Sequence, residues 1–154
     1  KARKLWKMRE DIPEANRKIG AITSHDIALP LENMESFINK SLIEIKEINK
    51  FLRVNCFGHM GDGNLHFNVF PPPGEKNSSY IKIKSKLTNI INNNCKRLEG
   101  SFSAEHGVGR LKVKDLERYC DPGKINVMRQ IKKAIDPFTI LNPGVILRQD
   151  NQDI

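Results

Sequence analysis

Apolar residues fall at helical spacing from the start of the chain, with Leu5, Met8 and Ile12 on one face. This predicts a helix over residues 1–19, interrupted at Pro13. Residues 25–30, His-Asp-Ile-Ala-Leu-Pro, read as a short strand stopped by Pro30. Over residues 32–50 a stripe of Met34, Phe37, Ile38, Leu42, Ile45 and Ile48 predicts an amphipathic helix. Residues 51–57 are rich in β-branched and aromatic side chains and read as a strand. Three glycines in residues 58–63 demand a tight connection. Leu65, Phe67 and Val69 then alternate with His66, Asn68 and Phe70, which predicts a second strand pairing back as a hairpin.

Pro71-Pro72-Pro73-Gly74 ends that strand in an extended loop. Residues 79–98 predict a long helix with Ile83, Leu87, Ile90, Ile91 and Cys95 inward. Residues 100–109 break the pattern as a loop or short strand. A short helix over 115–120 and another from Asp121-Pro122-Gly123-Lys124 to about Ile135 follow, stopped by Asp136-Pro137. Asn142-Pro143-Gly144 is a turn. The order β-α-β-β-α predicts an α+β fold: a ferredoxin-like antiparallel sheet with helices packed on one face.

The length of 154 residues suits one domain with its own core. With 38% hydrophobic and 29% charged residues and no apolar run near the roughly 20 residues a bilayer requires, a transmembrane segment is not expected. The first residues are charged throughout, unlike a signal peptide. Twenty-six Lys and Arg against 18 Asp and Glu give a net charge of +8, which suggests an anionic partner. However, Lys, Ile and Asn account for 50 of the 154 residues, a bias that explains much of the basicity. The ten aromatics do not interleave with the basic residues, so nucleic acid is not expected as a partner. Cys56, Cys95 and Cys120 are widely spaced and form no CxxC pair, which points to a reducing compartment rather than a disulfide framework or a thiolate zinc site.

The chemistry concentrates in two places. His59 and His66 flank the glycine-rich connection, where hairpin pairing would put both imidazoles on one face, and Asn68 shares the face of His66. Glu105-His106 lies between small residues further on. Two imidazoles and a carboxylate are the donor set of an open zinc site or a non-haem iron site, with Glu105 as third ligand. His106, pointing elsewhere, is then free to act as a base. The same histidines are equally met as plain polar strand residues, and Asp62 in its Gly-Asp-Gly turn reads as a side chain bonded to its own backbone.

Residues 58–66, 103–109 and 136–144 resemble, in order and spacing, the signature blocks of the FAD-linked oxidase C-terminal domain family. Residues 5–10 and 25–30 resemble its earlier blocks. The likeness covers nearly the whole chain and is greatest to D-2-hydroxyacid dehydrogenases of the D-lactate dehydrogenase, glycolate oxidase and D-2-hydroxyglutarate dehydrogenase type. It implies that residues 1–154 are part of the C-terminal cap domain of a longer flavoenzyme. The FAD-binding domain would be supplied in cis or as a separate chain. It further implies FAD and a divalent metal, zinc or manganese, as cofactors, and a small 2-hydroxy acid as substrate. Carried over by position, His59, His66 and Glu105 become the metal ligands and His106 the base. Arg9 and Asn68 become substrate contacts, and Asn142 lies near the flavin. Ser24 stands where relatives often carry Lys, so the resemblance does not carry over a second anion contact, nor the substrate preference that goes with it. The family reading also implies a cytoplasmic or membrane-peripheral protein, mitochondrial in a eukaryote, and a homodimer as a candidate assembly. Two other readings stay open: a stand-alone metal-dependent hydrolase using the same three ligands, and a non-catalytic basic binding module.

Overall fold

The two-residue alternation in the central strand determines which side of the sheet is dry. The computed structural model describes residues 2–148. The chain divides into two compact units, Lys1–Ala104 and Glu105–Ile154.

In the first unit, three strands, β1 (Thr23–Ala28), β2 (Arg53–Phe57) and β3 (Asn64–Phe70), form an antiparallel sheet in the order β1-β3-β2. The helix α2 (Met34–Ile48) links β1 to β2, and α3 (Ile81–Arg97) follows β3. β2 and β3 are the predicted hairpin, and β3 inserts between β1 and β2 as a split β-α-β unit requires. The α+β architecture with helices on the sheet is therefore the one the hydrophobic pattern foretells. After α3 the chain returns beside β1 only as a single bridge, Ala28 to Ser101, with paired backbone bonds of 3.0 and 2.8 Å. A fourth strand is reduced there to one residue.

Residues directly opposite in an antiparallel ladder share a face. Ile27 opposes Leu65, His25 opposes Phe67, and Val54 and Thr23 flank Val69. This face packs with Phe37 and Ile45 of α2 and with Leu87 and Ile91 of α3 in one buried cluster. Phe37 meets Phe67 edge to face, with ring centroids 5.5 Å apart. The buried apolar residues of both helices are among those the 3.6-residue period predicts, and three polar ones are buried with them, Ser41, Asn92 and Asn94; Asn94 donates to Ser41 Oγ between the helices at 3.3 Å.

Several boundaries differ from the sequence expectation, each for a local reason. β1 begins two residues earlier than His25, because Thr23 and Ser24 pair with Val69 and Asn68. The first turns of the α2 and α3 segments are 3₁₀, Leu31–Asn33 and Asn77–Tyr80. α1 (Ala2–Ile19) runs unbroken through Pro13. Pro13 is exposed, so water can take the Arg9 carbonyl that proline leaves without a donor. No residue of α1 is buried. It is anchored by Asn16 Nδ2 donating to Asn55 Oδ1 at 3.2 Å and by the Arg9 guanidinium 5.3 Å from the centre of the Phe57 ring.

The second unit contains α4 (Val113–Tyr119) and α5 (Pro122–Ile135). Asp121 caps α5 by accepting from Lys124 N at 2.9 Å, and Pro122 occupies the first turn, as the sequence predicts. Among the described residues of this unit, the buried apolar ones are Val113, Leu116 and Ile125. Asp136 ends α5 by accepting from Ile140 N (2.9 Å), Leu141 N (3.0 Å) and Lys132 Nζ (2.6 Å). The lysine and these backbone donors hold its carboxyl below the usual aspartate range.

Candidate functional site

The other face of the first unit's sheet is polar. Register places Ser24 opposite Asn68, Asp26 opposite His66, and Ala28 opposite Asn64. On the other side, Asn55 opposes Asn68 and Phe57 opposes His66. Asp26, Asn64 and Asn68 are buried, at 3%, 3% and 6% exposure. Buried carboxylate and amide groups on a sheet face are satisfied by one another, by other protein groups, by water or by a ligand.

Their contacts are ordered. Asn64 Nδ2 donates to Asp26 Oδ1 at 2.8 Å and also reaches the Ile27 carbonyl at 3.3 Å. The same Asp26 oxygen lies 3.7 Å from His66 Nδ1. On its far side the His66 ring packs against Phe57, with centroids 5.0 Å apart. Asn64 Oδ1 is buried with no hydrogen-bond partner among the described residues. Arg9, stacked on Phe57, brings a guanidinium to this aromatic.

The glycine-rich connection delivers this row. After β2 the chain makes a 3₁₀ turn, Met60–Asp62, closed by Gly63 in the left-handed region (φ 71°). The His59 carbonyl accepts from Asp62 N and Asn64 N at 3.0 and 3.2 Å. Gly63 O accepts from Leu29 N at 2.9 Å, tying the turn to the end of β1. A Cβ on Gly63 would lie 2.1 Å from the Leu29 carbonyl oxygen, so only glycine fits.

The sequence-predicted residues are placed as follows. His66 and Asn68 share the polar face as expected. Arg9 lies on α1 beside Phe57. His59 leaves the strand: it caps the 3₁₀ turn and is exposed, and it belongs to no group of three candidate ligands among the described residues. Asp62 is exposed too. Glu105 and His106 open the second unit in an exposed, irregular segment. Asn142 adopts a left-handed conformation (φ 46°) and lines a cavity of about 620 Å³ in that unit, along with Arg129, Lys133 and Arg148. Arg129 and Arg148 share Glu117 at 3.4 and 2.7 Å. Sequence reasoning missed Asp26 and Asn64. Their signal was the β3 period itself, which puts Asn64 with His66 and Asn68, and a strand at 23–28 that pairs Asp26 with His66.

An antiparallel split β-α-β sheet with helices packed on its dry face and buried carboxylate, imidazole and amide groups on the other defines an α+β domain. The chain belongs to the family of FAD linked oxidases, C-terminal domain, whose model matches residues 1–146. It is 33% identical over 143 residues to a D-2-hydroxyglutarate dehydrogenase of Xanthomonas citri pv. viticola, covering 93% of this chain and 30% of that protein. It is 32% identical over 148 residues to a probable mitochondrial D-2-hydroxyglutarate dehydrogenase of Oryza sativa subsp. japonica, covering 96% and 25%. To an uncharacterized FAD-linked oxidoreductase of Mycobacterium tuberculosis it is 37% identical over 145 residues, covering 94% and 30%. The chain thus spans between a quarter and a third of the length of these relatives. Among the described residues no helix is long and apolar enough to cross a membrane.

Proposed function

We propose that this chain is the substrate- and cation-binding portion of an FAD-dependent dehydrogenase that oxidises a D-2-hydroxy acid to the 2-oxo acid. The observation that carries this reading is the polar sheet face, where Asp26, Asn64, His66 and Asn68 stand side by side. Its support from outside is the likeness to D-2-hydroxyglutarate dehydrogenases.

The oxidation removes a proton from the hydroxyl and a hydride from the same carbon. An aliphatic hydroxyl is too weak an acid to ionise unaided near neutral pH. A divalent cation, zinc or manganese, would supply positive charge to the hydroxyl oxygen as its proton leaves, and FAD, held mainly by a further domain, would supply the hydride acceptor. The donor types fit such a cation: an imidazole with a buried carboxylate 3.7 Å away, on a face that also holds an unpartnered amide oxygen. His66 is the ligand on that face, and His59 and Glu105 complete the ligand set the family resemblance implies.

This chain's other residues take the remaining tasks. Asn68, buried beside His66, donates a hydrogen bond to substrate oxygen. Arg9 pairs with the substrate carboxylate, for which the planar guanidinium fork is suited. His106 takes the hydroxyl proton, as imidazole is the side chain that exchanges protons near neutral pH. Asn142 approaches the flavin, and the cationic cavity it lines is chemically suited to a phosphate-bearing cofactor.

The test is anaerobic flavin reduction. The chain, joined to the FAD-binding domain of the Xanthomonas citri relative, should bleach its flavin with D-2-hydroxyglutarate or D-lactate. A flavin-loaded, cation-loaded protein that no 2-hydroxy acid reduces would refute the assignment.

A further inference from the structure

Asp26 is a buried carboxylate that the proposed reaction does not yet use. It is 3% exposed, and a buried carboxylate is retained only where its charge is met. Two neighbours hold it in place. Asn64 Nδ2 donates to Oδ1 at 2.8 Å, and the Ala104 N–H donates to the Asp26 carbonyl at 3.2 Å, fixing the backbone. The same Oδ1 faces His66 Nδ1 across the β1–β3 ladder at 3.7 Å. That separation is ion-pair range, slightly beyond a hydrogen bond. A small turn of the imidazole about its Cβ–Cγ bond closes it, and Phe57 packed on the ring leaves little freedom for any other turn.

An imidazole that binds a cation through one nitrogen commonly gives its other N–H to a carboxylate. That contact fixes the tautomer and raises the basicity of the donor nitrogen. The atom that faces Asp26 is Nδ1, so Nε2 is the ring nitrogen turned away from the carboxylate.

We propose that Asp26 is the positioning residue of this site: clamped by Asn64, it holds His66 as the Nδ1–H tautomer and presents Nε2 to the divalent cation. The Asn64–Asp26–His66 row then acts as one unit across two strands, with Asn64 setting the angle of the carboxylate. The proposal rests on the cation reading above.

Two measurements on the 154-residue chain test it. The first is the His66 tautomer in the metal-free protein at pH 8, read from long-range nitrogen–proton couplings. The parent should show Nδ1–H, and Asp26→Ala should move toward Nε2–H, the form imidazole favours in water. The second is zinc affinity by competition with a chromophoric chelator. Asp26→Ala should weaken zinc by 10- to 100-fold, the range for loss of such an outer partner, and Asp26→Asn by less. Asp26→Asn preserves shape and so carries the test should Asp26→Ala melt at a much lower temperature. An unchanged tautomer, or zinc affinity within twofold of the parent in a folded Asp26 variant, would overturn the proposal. Should the parent take up no zinc, or His66→Ala bind it as tightly as the parent, the cation reading fails instead, and the tautomer alone then decides the role of Asp26.

Discussion

Gly63→Ala separates backbone geometry from side-chain chemistry at the turn that feeds the polar face. The added Cβ would sit 2.1 Å from the Leu29 carbonyl oxygen, against 3.4 Å for an ordinary contact, so the two backbones must part by more than an ångström. That parting breaks the 2.9 Å bond from Leu29 N to Gly63 O and leaves a poorly solvated donor at the edge of β1. Losing such a bond costs about 1–3 kcal/mol. Holding alanine at φ 71° adds about 1–2 kcal/mol. The sum is about 3 kcal/mol, which corresponds to a fall in Tm of roughly 6–12 °C for a chain of this size. Two other glycines isolate the contributions. Gly74→Ala has a positive φ of 84° but open space around the new methyl, and should cost about 1 kcal/mol. Gly61→Ala has open space and no positive φ, and should fall within about 0.5 kcal/mol of the parent. Thermal melts followed by circular dichroism measure all three. A Gly63→Ala melt no lower than that of Gly74→Ala would refute the close approach of the turn to Leu29.

Phe37→Ala removes a fully buried ring and its edge-to-face contact with Phe67, and should cost about 3–5 kcal/mol by urea titration, with little change if the α2–sheet packing is misassigned. Burial pushes the Cys95 thiol up to about 12 and Cys56 up to about 11, so at pH 8 neither is appreciably thiolate. Iodoacetamide should leave both unmodified in the folded chain and label both in urea, as read by peptide mass spectrometry. Asp136 is held below its ordinary pKa by Lys132 and two backbone donors, so its contribution is present above the ordinary aspartate range and lost as pH falls through its lowered folded value. Melting temperature against pH from 6 to 2.5 should therefore fall less steeply in Asp136→Asn than in the parent.

The parts of the fold legible in the sequence are those set by local periodicity. The α2 stripe from Met34 to Ile48 and the β3 alternation each name their own buried face, because burial repeats at 3.6 or 2 residues. The Asp121-Pro122 cap is equally local. What escaped was long-range. Asp26 became part of the polar face only through pairing with His66, forty positions later, and no local pattern distinguishes that acid from any other strand residue. The start of β1 at Thr23 depends on Val69, and the one-residue remnant at Ser101 depends on Ala28. For His59, proximity in sequence to the strand end suggested a shared face with His66, but the 3₁₀ turn takes its backbone out of the ladder. His66 and Asn68 were readable because they lie two apart on one strand; their partners were not.

On the proposed function, the polar face of the first unit binds a 2-hydroxy acid together with a divalent cation. Calorimetric titration of D-2-hydroxyglutarate into the 154-residue chain, metal-free and then loaded with zinc or manganese, tests it most directly. Saturable binding to the loaded chain is expected, at least tenfold weaker without the cation and lost in His66→Ala. Equal binding with and without the cation, or undiminished binding in His66→Ala, would contradict it.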